Sequence, residues 1–120
     1  MKKILFALLL LASPLSFAEE ATGVIKEIKI CATGAVNDDF MKVLQFKIGD
    51  QWFGTWADHY GRAEDYDDNL STSLLFMAAS QKLSVHVKAT SPWHPYQKKC
   101  GVTDGKIFQA NAGDFIRIIY

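Results

Sequence analysis

Six aromatic side chains and one histidine carry the chemistry this sequence offers most directly: Trp52, Trp56, Tyr60, Tyr66, Trp93, Tyr96 and, inside the last pair, His94. A sugar presents an apolar C–H face that packs on an aromatic ring, while Asp, Asn, His or Thr hydrogen-bond its hydroxyls. Aromatic residues in loops are costly to expose without a purpose. Trp93, His94 and Tyr96 lie in such a loop, Pro92-Trp93-His94-Pro95-Tyr96, and Tyr60 and Tyr66 lie in another. All five are candidate ligand contacts, with an interface role as the alternative for Trp93 and Tyr96. Trp52 and Trp56 are read first as strand-face packing.

Other chemistries fit less well. Asp65-x-Asp67-x-Asn69 opens like a calcium loop, but Leu70 takes the glycine position and Phe76 the place of the bidentate Glu. Asp58, Glu64, Asp65, Asp67 and Asp68 are then a solvated loop ahead of a helix. His59, His86 and His94 lack ligand spacing, and His86 alternates outward on a strand. The Ser-rich helix start has no nucleophile context. The reading is a non-enzyme without catalytic residues, metal or cofactor.

Cys31 and Cys100 are the two cysteines, without C-x-x-C spacing, and read as one disulfide of an exported protein. Met1-Lys2-Lys3, the apolar Ile4–Leu11 and Ser16-Phe17-Ala18 have the form of a signal peptide over 1–18, cleaved after Ala18. The expected destination is the periplasm or beyond, with no membrane insertion. Cleavage leaves 11 basic against 13 acidic residues, a formal charge of −2. That balance gives no electrostatic footprint for nucleic acid.

The elements that must position these residues follow from periodicity. Gly23–Cys31 alternates, with a phase shift near Lys26-Glu27 that allows a bulge. Ala32–Asp39 reads as a turn region and Phe40–Ile48 as the second strand. Gly49-Asp50 is a hairpin signal, and Gln51–Trp56 is the third strand. Trp52, Gly54 and Trp56 share one of its faces, and Gly54 suggests a close backbone approach or a kink. A helix begins at Asn69, with Leu70, Leu74, Met77 and Ala78 as its expected core stripe and Leu75 and Ala79 widening it. Phe76 falls off that stripe and is a candidate interface residue, or a cover for the core's mouth. Leu83, Val85 and Val87 then alternate with polar residues in a fourth strand. The fifth starts at Lys106, breaks at Asn111–Asp114 and closes with Phe115–Tyr120.

The order β-β-β-α-β-β over residues 19–120 is that of an OB-fold, a five-stranded barrel with one helix, mainly β; an α+β sheet with the helix packed on one face is the alternative. With that order in place, the chain resembles the B subunits of secreted bacterial toxins of the subtilase-cytotoxin and pertussis-like kind. The likeness rests on Ala21-Thr22-Gly23-Val24-Ile25 after the signal peptide, the aromatic strand Trp52–Trp56, the small-residue-rich helix running into the alternating strand over Ser73–Val87, and the Trp93 loop. It implies an OB-fold protomer in a homopentamer whose helices line a central pore, a host glycan or glycoprotein as ligand, and a toxin A subunit as partner. A family serine near the start of the first strand helps hold a sialic acid; Thr22 occupies the matching place and keeps a hydroxyl. Subtilase-type members look richer in cysteine than this chain. A different class is also open: a periplasmic protein-binding module, such as an inhibitor of a secreted hydrolase.

Overall fold

A computed structural model describes residues 19–36, 39–60, 66–67, 69–108 and 112–120, with the backbone alone for 33–36, 39–41, 58–60 and 66–67. Residues 1–18, expected as a signal peptide, and most of the acidic loop, residues 61–65 and 68, lie outside the described residues.

In chain order the elements are β1 (Glu19–Val36), β2 (Asp39–Ile48), β3 (Gln51–Tyr60), β4 (Tyr66–Asp67), α1 (Asn69–Gln81), β5 (Ser84–Ala89), β6 (Ser91–Pro92), α2 (Pro95–Lys98), β7 (Lys106–Ile107) and β8 (Phe115–Ile119). The strands form one curled sheet in the order β6-β7-β3-β2-β1-β5-β8, with β4 pairing beside β3. The protein is thus mainly β with a short helix, but the expected five-stranded closed barrel is not formed. The last strand of the sequence reading is split in two. Its first part, β7, pairs parallel with β3, and its second, β8, pairs antiparallel with β5. The break has a local cause. Gly113 turns the chain at φ +98°, and the Asp114 carboxylate accepts from Thr90 N–H at 3.2 Å and Thr90 Oγ at 2.9 Å. This pins the start of β8 to the end of β5, so the two halves serve opposite edges of an open, curled sheet.

β1 is longer than its alternation suggests, because its two halves have different partners. Glu19–Val24 pair with β5, and Ile25–Val36 pair with β2. The bulge expected at Lys26-Glu27 lies at the start of the second half, between Ile25 and Glu27, and lets the strand bend from one neighbour to the next. The supposed turn region beyond Cys31 continues the strand instead, with Ala35 opposite Phe40 and Val36 opposite Asp39. β3 also runs on to Tyr60, where Asp58 and His59 pair with β4.

The concave face carries the main core: Ile25, Leu44, Phe46, Ile48, Phe53 and Ala57 from β1–β3, Val85, Val87 and Ala89 from β5, and Leu75 and Ala78 from α1. Phe46 and Phe53 stack with centroids 5.5 Å apart. α1 turns into β5 with almost no linker because Lys82 adopts φ +54° and Leu83 N–H closes back on Ala78 O at 3.0 Å. The helix is rotated from the expected stripe. Leu75 and Ala78 face the core, whereas Leu70 is 84% exposed, Met77 39% and Phe76 41%.

Candidate functional site

The convex face of the sheet carries two groups of side chains, divided by the bend in β1. The first lies over β2 and β3 and holds the loop aromatics. Trp93 is half-buried, and its indole N–H donates to Val102 O at 2.8 Å. Its ring lies against the Cα atoms of Gly54 and Gly105, where an added Cβ would stand 2.9 Å from the ring at either site. The close approach read from Gly54 is therefore real, and the same strand holds Trp56 beside Val43 and Ile107 in a second small core. Pro95 occupies the first turn of α2, a position where its missing N–H costs nothing. His94 caps that turn, its Nδ1 accepting from Tyr96 N–H at 3.1 Å.

The aromatic rings of this loop are largely engaged with one another. His94 meets Trp56 edge-on at 5.0 Å, Tyr96 meets Trp56 edge-on at 6.3 Å, and His94 and Tyr96 are 4.9 Å apart. The Lys99 ammonium stands 5.2 Å over the Tyr96 ring. Partial burial lowers the pKa of His94. Beneath the loop, Gln45 Nε2 donates to Gln97 O at 2.8 Å and to Gln97 Oε1 at 2.9 Å, and Gln97 Nε2 donates to Thr55 O at 3.3 Å. The Cys31–Cys100 disulfide, with Cα atoms 5.9 Å apart, fastens the loop's far end to β1. Lys29 Nζ donates to Cys100 O at 2.7 Å beside it. Trp93, Tyr96 and His94 thus form a packed cap on the convex face, with only His94 exposed. Of Tyr60 and Tyr66 the backbones pair, with Phe40 and His59 respectively; their side chains are outside the described residues.

The second group lies on β1, β5 and β8. Thr22 pairs with His86, and His86 pairs with Arg117, so the three form one row across the sheet. The strict alternation of β5 buries Val85, Val87 and Ala89 and turns Ser84, His86 and Lys88 to the convex side. Arg117 Nε donates to His86 Nδ1 at 2.9 Å, and His86 Nε2 meets Glu20 Oε1 at 3.1 Å. Phe115 meets the His86 ring edge-on at 4.8 Å, and the Arg117 guanidinium carbon lies 5.9 Å from the Phe115 ring centre. The guanidinium is thereby held by one hydrogen bond and one ring contact. Its two Nη groups have no partner among the described residues. Thr22 is exposed on the same face, two strand spacings or about 10 Å from Arg117.

Chemically, this row offers a fixed cation, a hydroxyl that donates or accepts, an imidazole and an apolar ring, on a shallow surface. Such a set can hold an anion on the guanidinium and a hydroxyl on Thr22. Thr22 is brought into a site, but apart from His94, Trp93 and Tyr96. His86, Arg117 and Phe115 are absent from the sequence reading's site residues. The outward phase of His86 was legible in its alternation; its pairing with Arg117 needs the β5–β8 register, which no local pattern supplies. Comparison with protein-family models, curated proteins and solved structures finds no match to this chain.

Proposed function

We propose that the chain is an exported, non-enzymatic binding subunit that recognises an acidic sugar on a host glycan through Thr22 and Arg117, the latter held by His86. The observation that carries this reading is the anchored guanidinium of Arg117, with Nε committed to His86 and both Nη groups left to a ligand. A planar guanidinium matches a carboxylate in two parallel hydrogen bonds, and a site whose fork is already oriented loses less entropy on binding. Thr22 then meets a sugar hydroxyl, and Phe115 and Val24 border the site with apolar surface. Sialic acids are among the sugars with this combination of carboxylate and polyol, in keeping with the resemblance to toxin B subunits carried by Thr22-Gly23-Val24-Ile25.

The uncharged exposed face of α1 supports the further proposal that the subunit works as an assembly of copies, a pentameric ring being the form the resemblance implies, with an A subunit as its partner. The element order, and the pairing of β1 with both β2 and β5, support an OB-type ancestry for the curled sheet. A docked protein, as in the inhibitor reading, would use the same α1 face; it is favoured if the protein is monomeric and binds no glycan.

The test is a titration of the mature protein, residues 19–120, with sialyllactose and with lactose, beside a glycan array. Binding of the sialylated sugar alone, lost in Arg117→Ala and weakened in Thr22→Val, is the expected result. Equal response to both sugars, or an array without signal, overturns the reading.

A further inference from the structure

We infer that His86 is the positioning residue for Arg117 and works only in its neutral form, so that a second proton on the ring releases the arginine and weakens the site. The inference rests on the acidic-sugar reading for its consequence, but the switch itself is a property of two side chains. Nδ1 of His86 accepts from Arg117 Nε at 2.9 Å. An imidazole nitrogen that accepts carries no hydrogen, so the ring's single hydrogen is on Nε2, directed at the Glu20 carboxylate 3.1 Å away. The two contacts respond differently to acid. Nε2 bears a hydrogen in both forms of the ring, and Glu20 can hold either one. Nδ1 gains a hydrogen when the imidazolium forms, and it then opposes the Arg117 N–H as donor against donor and cation against cation.

The surroundings leave the His86 ring little room to adjust, whereas Arg117 is exposed. The His86 side chain is only 18% exposed, closed in by Phe115 edge-on at 4.8 Å. Charged groups on this face are Glu20 from β1, Lys88 from the same strand as His86, and Arg117 from β8; Thr22 and Ser84 are its polar neutral neighbours. Glu20 is the one anion among them and is already bound to Nε2. Lys88 adds positive charge beside the ring, so a displaced guanidinium finds its acceptor in solvent. Arg117 then loses the hydrogen bond that holds its guanidinium beside the His86 ring.

The test has two readouts. The first needs no ligand: nitrogen-15 NMR of the wild-type protein follows the Arg117 Nε–H signal and the His86 ring nitrogens through an acid titration. Nε2–H as the neutral tautomer, and an Arg117 Nε–H signal that loses its protection in step with ring protonation, are expected. An Nδ1–H tautomer, or an Arg117 signal indifferent to ring protonation, overturns the inference. The second readout is sialyllactose affinity in wild type and His86→Gln, whose amide offers an oxygen to Arg117 and a nitrogen to Glu20 without titrating. Wild-type affinity is expected to fall roughly tenfold as the NMR titration shows the ring gaining its second proton, and the variant's to stay level over the same range. Parallel pH profiles in the two proteins overturn the inference while leaving the acidic-sugar reading intact. Absence of binding at any pH overturns that reading, and the NMR titration still decides the switch.

Discussion

Gly54 and Gln97 approach so closely that a Cβ built on the glycine would stand 2.8 Å from the Gln97 side-chain carbon, with the Trp93 ring at 2.9 Å on its other side. Gly54 is buried at the middle of β3, and neither neighbour can yield freely. Gln97 is tied to Thr55 and Gln45, and Trp93 to Val102. Gly54→Ala is therefore expected to lower stability by about 1–3 kcal/mol, the usual cost of overpacking a filled core. Urea unfolding should show a lower midpoint with an unchanged slope; a midpoint equal to wild type would mean that the cap shifts without cost.

This contact marks the boundary of what sequence can reveal here. Trp52-Phe53-Gly54-Thr55-Trp56 alternates, so the shared face and the need for space at Gly54 are legible from β3 alone. The same holds for β5, whose alternation places Val85 and Val87 inside and His86 outside. Identifying Trp93 and Gln97 as the groups filling the space over Gly54 takes a tertiary approach across 40 residues, which no local period encodes. The α1 stripe shows the reverse failure. Leu70, Leu74, Met77 and Ala78 share a helical face on paper, but the curl of the sheet fully buries only Ala78 of these, together with Leu75 from the stripe's flank, and leaves Leu70 and Met77 exposed. Closure misled for a related reason: the break at Gly113-Asp114 is visible in sequence, while the pairing of its two halves with opposite sheet edges is not.

The disulfide should be a principal support of the convex cap. It spans 69 residues, and chain-entropy reasoning assigns a crosslink of that span roughly 4 kcal/mol. Cys31→Ser with Cys100→Ser is expected to cost about 2–4 kcal/mol in chemical denaturation, and reductant should impose a similar loss on the wild type but none on the double variant. Fluorescence of Trp56 and Trp93 reports the cap directly, since both pack in the cluster that the crosslink borders. A reductant effect on the double variant would show that something other than this bond is being read.

Acid should loosen the same cap through His94. Its pKa is lowered from 6.5 because partial burial penalises the charged ring. The unfolded chain then binds the proton more readily than the folded one, so this histidine's contribution is fully present above its unfolded value and is lost as pH falls through the lower, folded value. Geometry gives the same sign, because a proton on Nδ1 removes the acceptor that holds Tyr96 N–H at 3.1 Å. His94→Asn keeps a capping acceptor without a titrating ring. Its unfolding midpoint should fall less than that of wild type between neutral and mildly acidic buffer; equal falls in both proteins would exclude His94 as the cause.

The last prediction concerns α1. Leu70, Phe76 and Met77 are exposed together with Ser73, Ser80 and Gln81, and Asn69–Gln81 contains no charged residue. A solvated helix face normally carries charge, so one with three large apolar side chains and none has the character of a contact surface. Leu75 and Ala78 hold the core from the opposite side, which separates folding from association on this helix. Phe76→Glu should therefore leave the unfolding midpoint nearly unchanged, since its side chain is already 41% exposed. It should nonetheless convert an assembly to single subunits in light scattering. Each such side chain contributes about 1.5–3 kcal/mol when fully buried, so removing one per subunit suffices to shift association by tenfold or more. If wild type and Phe76→Glu have the same mass, this face does not join copies of the chain; if the variant unfolds instead, Phe76 serves its own core.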